Sequence, residues 1–211
     1  MNHTMTLDAT KPARRKKPVV TLKEHIVEII SDSGEGAQRC GQSLGSIAAR
    51  MGNGIWTVEI IPAEIRPPAR SVAGASGNRI RIGAGRITNG GDETDLVVAF
   101  NEQVLLGRVR DRELKPGCTI LLESMWRTNK DDKIAASYAE AYDKLVAAGY
   151  KVIEVPMERE CLALVNDARR GKNHCGRQAG RMGGNARRLL AIAEHVVGRN
   201  IASATGDKTF A

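Results

Sequence analysis

Large aromatic rings are scarce in this 211-residue sequence: two Trp, three Tyr and two Phe make up 3% of it. A core must therefore be built from Val, Ile, Leu and Ala, and a base-stacking platform for single-stranded nucleic acid lacks its rings. No apolar run reaches the roughly 18 residues of a membrane-spanning helix. The four cysteines, Cys40, Cys118, Cys161 and Cys175, contain no CxxC pair. Structural zinc and Fe–S sites usually take two ligands from near neighbours, so free thiols in a reducing compartment are expected and no metal is assigned. A Gly-x-Ser-x-Gly elbow, a Walker A loop and a His-Glu-x-x-His helix are absent, and His3, His25, His174 and His195 are scattered. The sequence therefore offers no self-contained acid–base site and no catalytic residue. Basic residues near the N-terminus are not followed by an apolar segment, so a secretory leader is not expected and a cytoplasmic location is.

The net charge of +8 is unevenly spread. Residues 1–17 hold five Lys/Arg against Asp8, and residues 169–211 hold nine against Glu194 and Asp207. The stretch between them is mildly acidic. Basic ends on an acidic middle do not make the continuous basic face of a nucleic-acid binder. DNA binding by those ends ranks third among the functions considered; steeply salt-dependent binding, lost on deleting residues 1–17 and 174–211, would support it. The domain division expected is a basic arm at 1–20, one folded domain at 21–173, and a basic, Gly-rich tail at 174–211 with one helix over 185–197.

Apolar periodicity divides the middle into alternating elements. His25-Ile26-Val27-Glu28-Ile29-Ile30 reads as a buried strand, and 38–51 as a helix with Cys40, Leu44, Ile47, Ala48 and Met51 on one face. Gly52-Asn53-Gly54 stops that helix. Residues 55–61 form a second strand, expected to lie parallel to the first through a right-handed crossover. Residues 62–78 read as a long loop because of Pro62, Pro67 and Pro68. The alternation of Arg79-Ile80-Arg81-Ile82 suggests an edge strand with one wet face. Strands at 95–100, 118–123 and 150–155 follow, with helices at 101–109 and 131–148 and a turn at Lys115-Pro116-Gly117. The expected fold class is α/β: a three-layer, mostly parallel, Rossmann-like sheet with helices on both faces.

Two segments are candidates for chemistry. The turn Ser33-Gly34-Glu35-Gly36 joins the first strand to the first helix, where backbone N–H groups and the helix N-terminus favour an anion. It is not a dinucleotide fingerprint, since Arg39 stands where the third glycine belongs. A tight turn without ligand fits the residues equally. In the loop, Arg66 and Arg70 suit bidentate binding of carboxylate or phosphate, or else pair with Glu64 and other acids on a solvated rim.

Taken together these residues resemble a known family. Ser31-Asp32-Ser33-Gly34-Glu35-Gly36-Ala37-Gln38 is similar to the Gly-rich first turn of the gamma domain of the 2-oxoacid:ferredoxin oxidoreductases. Ile60-Ile61-Pro62-Ala63-Glu64-Ile65-Arg66 resembles its Pro-x-Glu-x-Arg signature, and Asp95-Leu96-Val97-Val98-Ala99-Phe100-Asn101 its third. Pro67-Pro68 and the longer loop after them are most similar to 2-oxoglutarate:acceptor oxidoreductases whose alpha subunit carries the gamma domain at its N-terminus. After Asn173 the sequence departs from that pattern into basic, Gly-rich residues, which leaves open a truncated or frame-shifted relative or a natural short subunit with a basic tail.

The resemblance implies oxidative decarboxylation of a 2-oxoacid to acyl-CoA, with electrons passing to ferredoxin or another acceptor. It implies thiamine diphosphate, coenzyme A and an Fe–S cluster in the whole complex, none assigned to this chain alone. Partners would be the thiamine-binding alpha and beta domains or subunits and the electron acceptor, with no membrane and no nucleic acid. Residues Gly34, Glu35, Gly36, Ala37, Gln38, Glu64, Arg66, Arg70 and Asn101 would face the coenzyme A and substrate side, and the isolated chain would be inactive. The alternative is a free-standing Rossmann-like module that binds a nucleotide or coenzyme A at 34–38.

Overall fold

The computed structural model describes residues 22–169. The expected arm at 1–20 and tail at 174–211, with Cys175, lie outside the described residues. Chain order is β1 (Glu24–Asp32), α1 (Ala37–Arg50), β2 (Gly54–Ile60), β3 (Ala75–Gly83), β4 (Thr94–Ala99), α2 (Glu102–Arg110), β5 (Leu114–Glu123), α3 (Asp132–Ala147), β6 (Lys151–Val155) and α4 (Met157–Arg169). The strands form one six-stranded sheet in the order β2-β3-β1-β4-β5-β6. β1, β4, β5 and β6 pair in parallel, while β3 runs antiparallel to both β1 and β2. β2 is therefore parallel to β1, and β3 is the one reversed strand.

The two faces of the sheet are covered by different helices. On one, α1 and the start of α4 bury Cys40, Leu44, Ala48 and Met157 against Val27, Ile29, Ile80, Val98 and Leu121. On the other, α2 and α3 bury Val104, Leu105, Tyr138 and Leu145 against Ile30, Val97, Ala99, Ile120 and Leu122. Central strands wet on neither face need near-continuous apolar runs, which is what 26–30, 96–99 and 120–122 supply. α1 packs closely because Gly41 and Gly45 face β3 and β2: a Cβ on Gly41 would stand 2.2 Å from the Asn78 Cβ. It ends in a double C-terminal bond, Gly52 N–H to Ala49 O at 2.9 Å and Asn53 N–H to Ala48 O at 3.2 Å, with Gly52 at φ 87°. That left-handed turn is the stop signal expected there.

Several sequence expectations are corrected. β3 is an interior strand, not an edge, and it begins at Ala75, so the loop after β2 ends at Ser71 with a 3-10 turn at Val72–Gly74. The alternation that suggested a wet face has another cause: Arg79 is buried, and its guanidinium meets Glu28 and Glu113. β1 and β2 are parallel but not neighbours, because β3 inserts between them. Lys115-Pro116-Gly117 lies within β5, where the register to β4 jumps from Thr94–Leu114 to Leu96–Thr119. The irregularity accommodates Pro116, which has no N–H, and Gly117 at φ 73°. The helix α4 was not foreseen; Pro156 ends β6 and also opens the following helix, accepting from Glu160 N–H at 3.0 Å.

Cys40, Cys118 and Cys161 are buried thiols. Burial pushes the Cys40 and Cys118 thiols up to about 12, so their reactive thiolates are scarce at neutral pH. Iodoacetamide at pH 8 is expected to leave both unmodified in the native chain and to label both in denaturant. Peptide mass spectrometry checks this.

Candidate functional site

The chain turns leftward from β1, to β3 and β2, and rightward from β4, to β5 and β6. The carboxyl ends of β1 and β4 thus flank the topological switch point, the place where an open α/β sheet leaves a crevice for ligands. The two ends are joined by Phe100 N–H to Ile30 O at 3.1 Å.

From β1 the chain passes through Asp32 into the glycine turn. Gly34 and Gly36 have φ of 86° and 94°, a conformation that strains any residue with a Cβ. Space above Gly34 is open. Gly36 is the N-cap of α1 and has no side chain to offer, Ala37 is the buried first residue of the helix, and the Glu35 carboxylate accepts from Asp32 N–H at 3.3 Å. Gln38 turns away from the crevice and donates to Ile60 O at 3.2 Å, tying α1 to the end of β2.

The loop after β2 returns to the same place through one residue. Arg70 has a positive φ of 55°, and its N–H donates to Asp32 Oδ2 at 2.8 Å. Its guanidinium pairs with Glu102 and lies 4.2 Å from the centroid of the Trp126 ring. The Trp126 indole is fixed separately by donating to Phe100 O at 2.6 Å. Glu64 and Arg66 point elsewhere: both are exposed, with no hydrogen bond or ion pair among the described residues. Of the two expected arginines, only Arg70 enters the crevice, and it does so as a buried pair rather than on a solvated rim.

Asn101 closes the β4 side. It is buried, and its Oδ1 accepts from Val104 N–H at 3.0 Å as the N-cap of α2. An Asn101→Ala variant is expected to lose about 1–2 kcal/mol of stability, measurable by urea unfolding. Glu102, in the first turn of α2, favours the helix dipole but is completely buried. The charge at this edge is mixed: Asp32, Glu35, Glu102 and Glu123 stand against Arg70. Asp32, Glu102 and Trp126 were not singled out from sequence. Asp32 stood inside the quoted glycine motif and Trp126 is one of only two Trp, but nothing local pairs either with Arg70.

The edge continues past β5. Glu35, Phe100, Trp126 and Met157 line a small cavity of ≈ 20 Å³ that also touches Glu123 and Met125. Those last two open onto a cleft of ≈ 560 Å³ beside Arg127, Glu154, Pro156 and Leu162. Burial raises the Glu123 carboxyl above its ordinary range, opposed by N–H donors from Met125 at 2.9 Å and Glu158 at 2.8 Å. Among the described residues no group of three or more His, Cys, Asp or Glu is placed to hold a metal, and no helix is long and apolar enough to cross a membrane.

Comparison with known proteins matches this architecture. The chain is 37% identical over 93 residues, 44% of its own length, to the 2-oxoglutarate oxidoreductase subunit KorA of Mycobacterium tuberculosis H37Rv. Over those 93 residues the chain is similar to a 2-oxoglutarate oxidoreductase subunit. The match spans 14% of that relative's length. The fold superimposes with a TM-score of 0.52, at 18% identity, on 2-oxoglutarate:ferredoxin oxidoreductase from Magnetococcus marinus, solved with 2-oxoglutarate, coenzyme A and succinyl-CoA bound. That superposition covers 89% of this chain and 32% of the other. A keto/oxoacid ferredoxin oxidoreductase gamma subunit from Geobacter sulfurreducens gives a TM-score of 0.47 at 15% identity, over 82% of this chain and 77% of that one. No family model matches the chain. The mainly parallel α/β fold with helices on both faces expected from the sequence is the fold observed.

Proposed function

We propose that this chain works as the gamma domain of a 2-oxoacid:acceptor oxidoreductase, in which a 2-oxoacid and coenzyme A become acyl-CoA and CO2 and electrons pass to ferredoxin or another acceptor. The observation that carries the reading is the 37% identity to a 2-oxoglutarate oxidoreductase subunit. The chain spans only a fraction of that relative, so the remaining parts of the machine are assigned to other domains or subunits. Thiamine diphosphate and the Fe–S cluster belong to those; thiamine diphosphate supplies the carbon chemistry when bound. The gamma-type domain is taken as residues 21–173, in a cytoplasmic enzyme.

Within this reading the carboxyl edge is the working face. The open space above Gly34 leaves room for a ligand beside the backbone of 34–38, and Arg70 and Asn101 reach the same crevice from the loop and from β4. Glu64 and Arg66, on the outer side of the loop, face a neighbouring domain and its coenzyme A and substrate approach.

The isolated polypeptide is expected to show no 2-oxoglutarate-dependent dye reduction, with or without coenzyme A and thiamine diphosphate. Mixed with thiamine-binding subunits lacking their own gamma part, it restores coenzyme A-dependent reduction. Turnover by the chain alone, or no restoration by a folded chain, overturns the reading. Calorimetry with NAD, FAD and coenzyme A separates the free-standing module: saturable binding by the isolated chain, abolished by Gly36→Val, would favour that instead.

A further inference from the structure

We propose that residues 62–71 form a strap that opens and closes over the crevice between β1 and β4, with the Arg70 guanidinium as its latch. Arg70 is the loop residue that reaches the floor of the crevice, while Pro67 and Pro68 pack at the neck against Gly74. Arg70 is held by Asp32 at the end of β1, with its N–H 2.8 Å from Oδ2, by Glu102 in the first turn of α2, and by the Trp126 ring after β5 at 4.2 Å. The tip of the loop lacks such holds: Ile65 is fully exposed, and Glu64 and Arg66 make no hydrogen bond or ion pair among the described residues. The neck of the strap is closed independently, by Ala63 N–H to Ala73 O at 3.0 Å and Gly74 N–H to Ser71 O at 3.1 Å.

The closed state also carries costs that a permanent wedge would not keep. Arg70 occupies the left-handed region at φ 55° without being glycine. Four buried side-chain atoms of the latch and its floor have no hydrogen-bond partner: Asp32 Oδ1, Arg70 Nη1, Asn101 Nδ2 and Glu102 Oε2. Opening exposes all four to water or to an incoming polar group and relieves the backbone, while it breaks the Arg70–Glu102 pair and the stack on Trp126. Favourable latch and unfavourable floor offset one another, the condition for a segment that opens separately from the sheet beneath it. What the opening uncovers is Asp32, Asn101 and Glu102 at the switch point; its purpose rests on the reading of that edge as the working face, but the opening itself does not.

Hydrogen exchange by mass spectrometry on the full chain tests it. The amides of 64–71, including that of Arg70, are expected to exchange through an opening at least 100-fold more populated than that of β1 and β4. Arg70→Gly, which removes the latch and relieves the φ, raises strap exchange at least tenfold and leaves β1 and β4 unchanged. In a Trp56→Phe background Trp126 is the chain's single tryptophan, and the same substitution makes its fluorescence more accessible to acrylamide. Arg70→Lys, which keeps the charge but not the planar stack, gives an intermediate value. Strap amides that exchange only together with β1 and β4, or substitutions that change strap and sheet alike, overturn the proposal. Because the readout needs no partner and no turnover, a working strap in a chain that restores no activity would discard the functional reading and keep this one.

Discussion

Glu28→Ala is expected to lower the free energy of unfolding by about 3–5 kcal/mol, the cost of removing one partner from a buried charge network. Glu28 lies in the middle of β1 with no exposed surface. Its carboxylate accepts from Arg79 Nε at 3.0 Å, from Arg108 Nε at 2.5 Å and Nη2 at 3.1 Å, and from the Thr94 hydroxyl at 3.2 Å. Glu113 accepts from both arginines as well, at 2.6 Å from Arg108. Arg79 further donates to Gly91 O at 3.2 Å and Asp92 O at 3.1 Å. Two acids and two arginines balance, and the carboxylate oxygens of Glu28 are filled, which is why charges survive in the core. Without Glu28 two guanidinium groups keep their burial and lose their main counter-charge. The double variant Glu28→Leu with Arg79→Leu is expected to recover much of the loss, since an apolar pair of similar volume avoids the desolvation. Urea unfolding of the three proteins, with unchanged m-values, measures both.

Tyr138→Ala is expected to cost about 3–5 kcal/mol, the range for deleting a buried ring. Tyr138 is fully buried in the α2–α3 face of the sheet, in a chain with few rings to substitute for it. Its hydroxyl donates to Glu154 Oε1 at 2.8 Å, and Arg127 Nε donates to the same oxygen at 2.7 Å. Tyr138→Phe keeps the ring and removes one of those donors, so its cost is expected near 1 kcal/mol. The pH dependence separates the two. Burial works to raise the Glu154 carboxyl, but the bonds from Arg127 and Tyr138 outweigh it and hold the group below its ordinary value. A depressed carboxyl stabilises the fold above its unfolded pKa, and that contribution fades as pH falls through the folded value. The Phe variant should therefore lose less stability than wild type on acidification from about pH 5 to pH 3.

The network around Glu28 also shows where sequence reading stopped. The buried runs at 26–30, 96–99 and 120–122 declared themselves because a strand covered on both faces has no polar alternation to confuse. Helix α1 declared itself by spacing and by its Gly52-Asn53-Gly54 stop, and α3 by spacing. β3 did not, because Arg79 and Arg81 look like a wet face until Glu28 is known to lie opposite, 51 positions earlier. Local alternation carries no information about such a partner. α4 was missed for a related reason: its first turn holds Glu158 and Glu160, and what docks it is Met157 against the sheet with the buried Cys161, too little to show a helical period.

At the candidate site the division is similar. The glycine turn and the proline-rich loop were legible as motifs with local geometry, while Asn101 came only from the resemblance. That Arg70 rather than Arg66 would enter the crevice, and that Asp32, Glu102 and Trp126 would receive it, depends on contacts between β1, α2 and the turn after β5, each 25 or more positions from its partner along the sequence. Resemblance supplied the role, and tertiary structure supplied the partners.

Co-purification tests the central claim most directly. The full chain, tagged and expressed in its own host, is expected to bring down thiamine-binding 2-oxoacid oxidoreductase subunits in fixed ratio, with thiamine diphosphate and iron in the eluate. A chain that elutes alone and free of both, from cells that make those subunits, would contradict it.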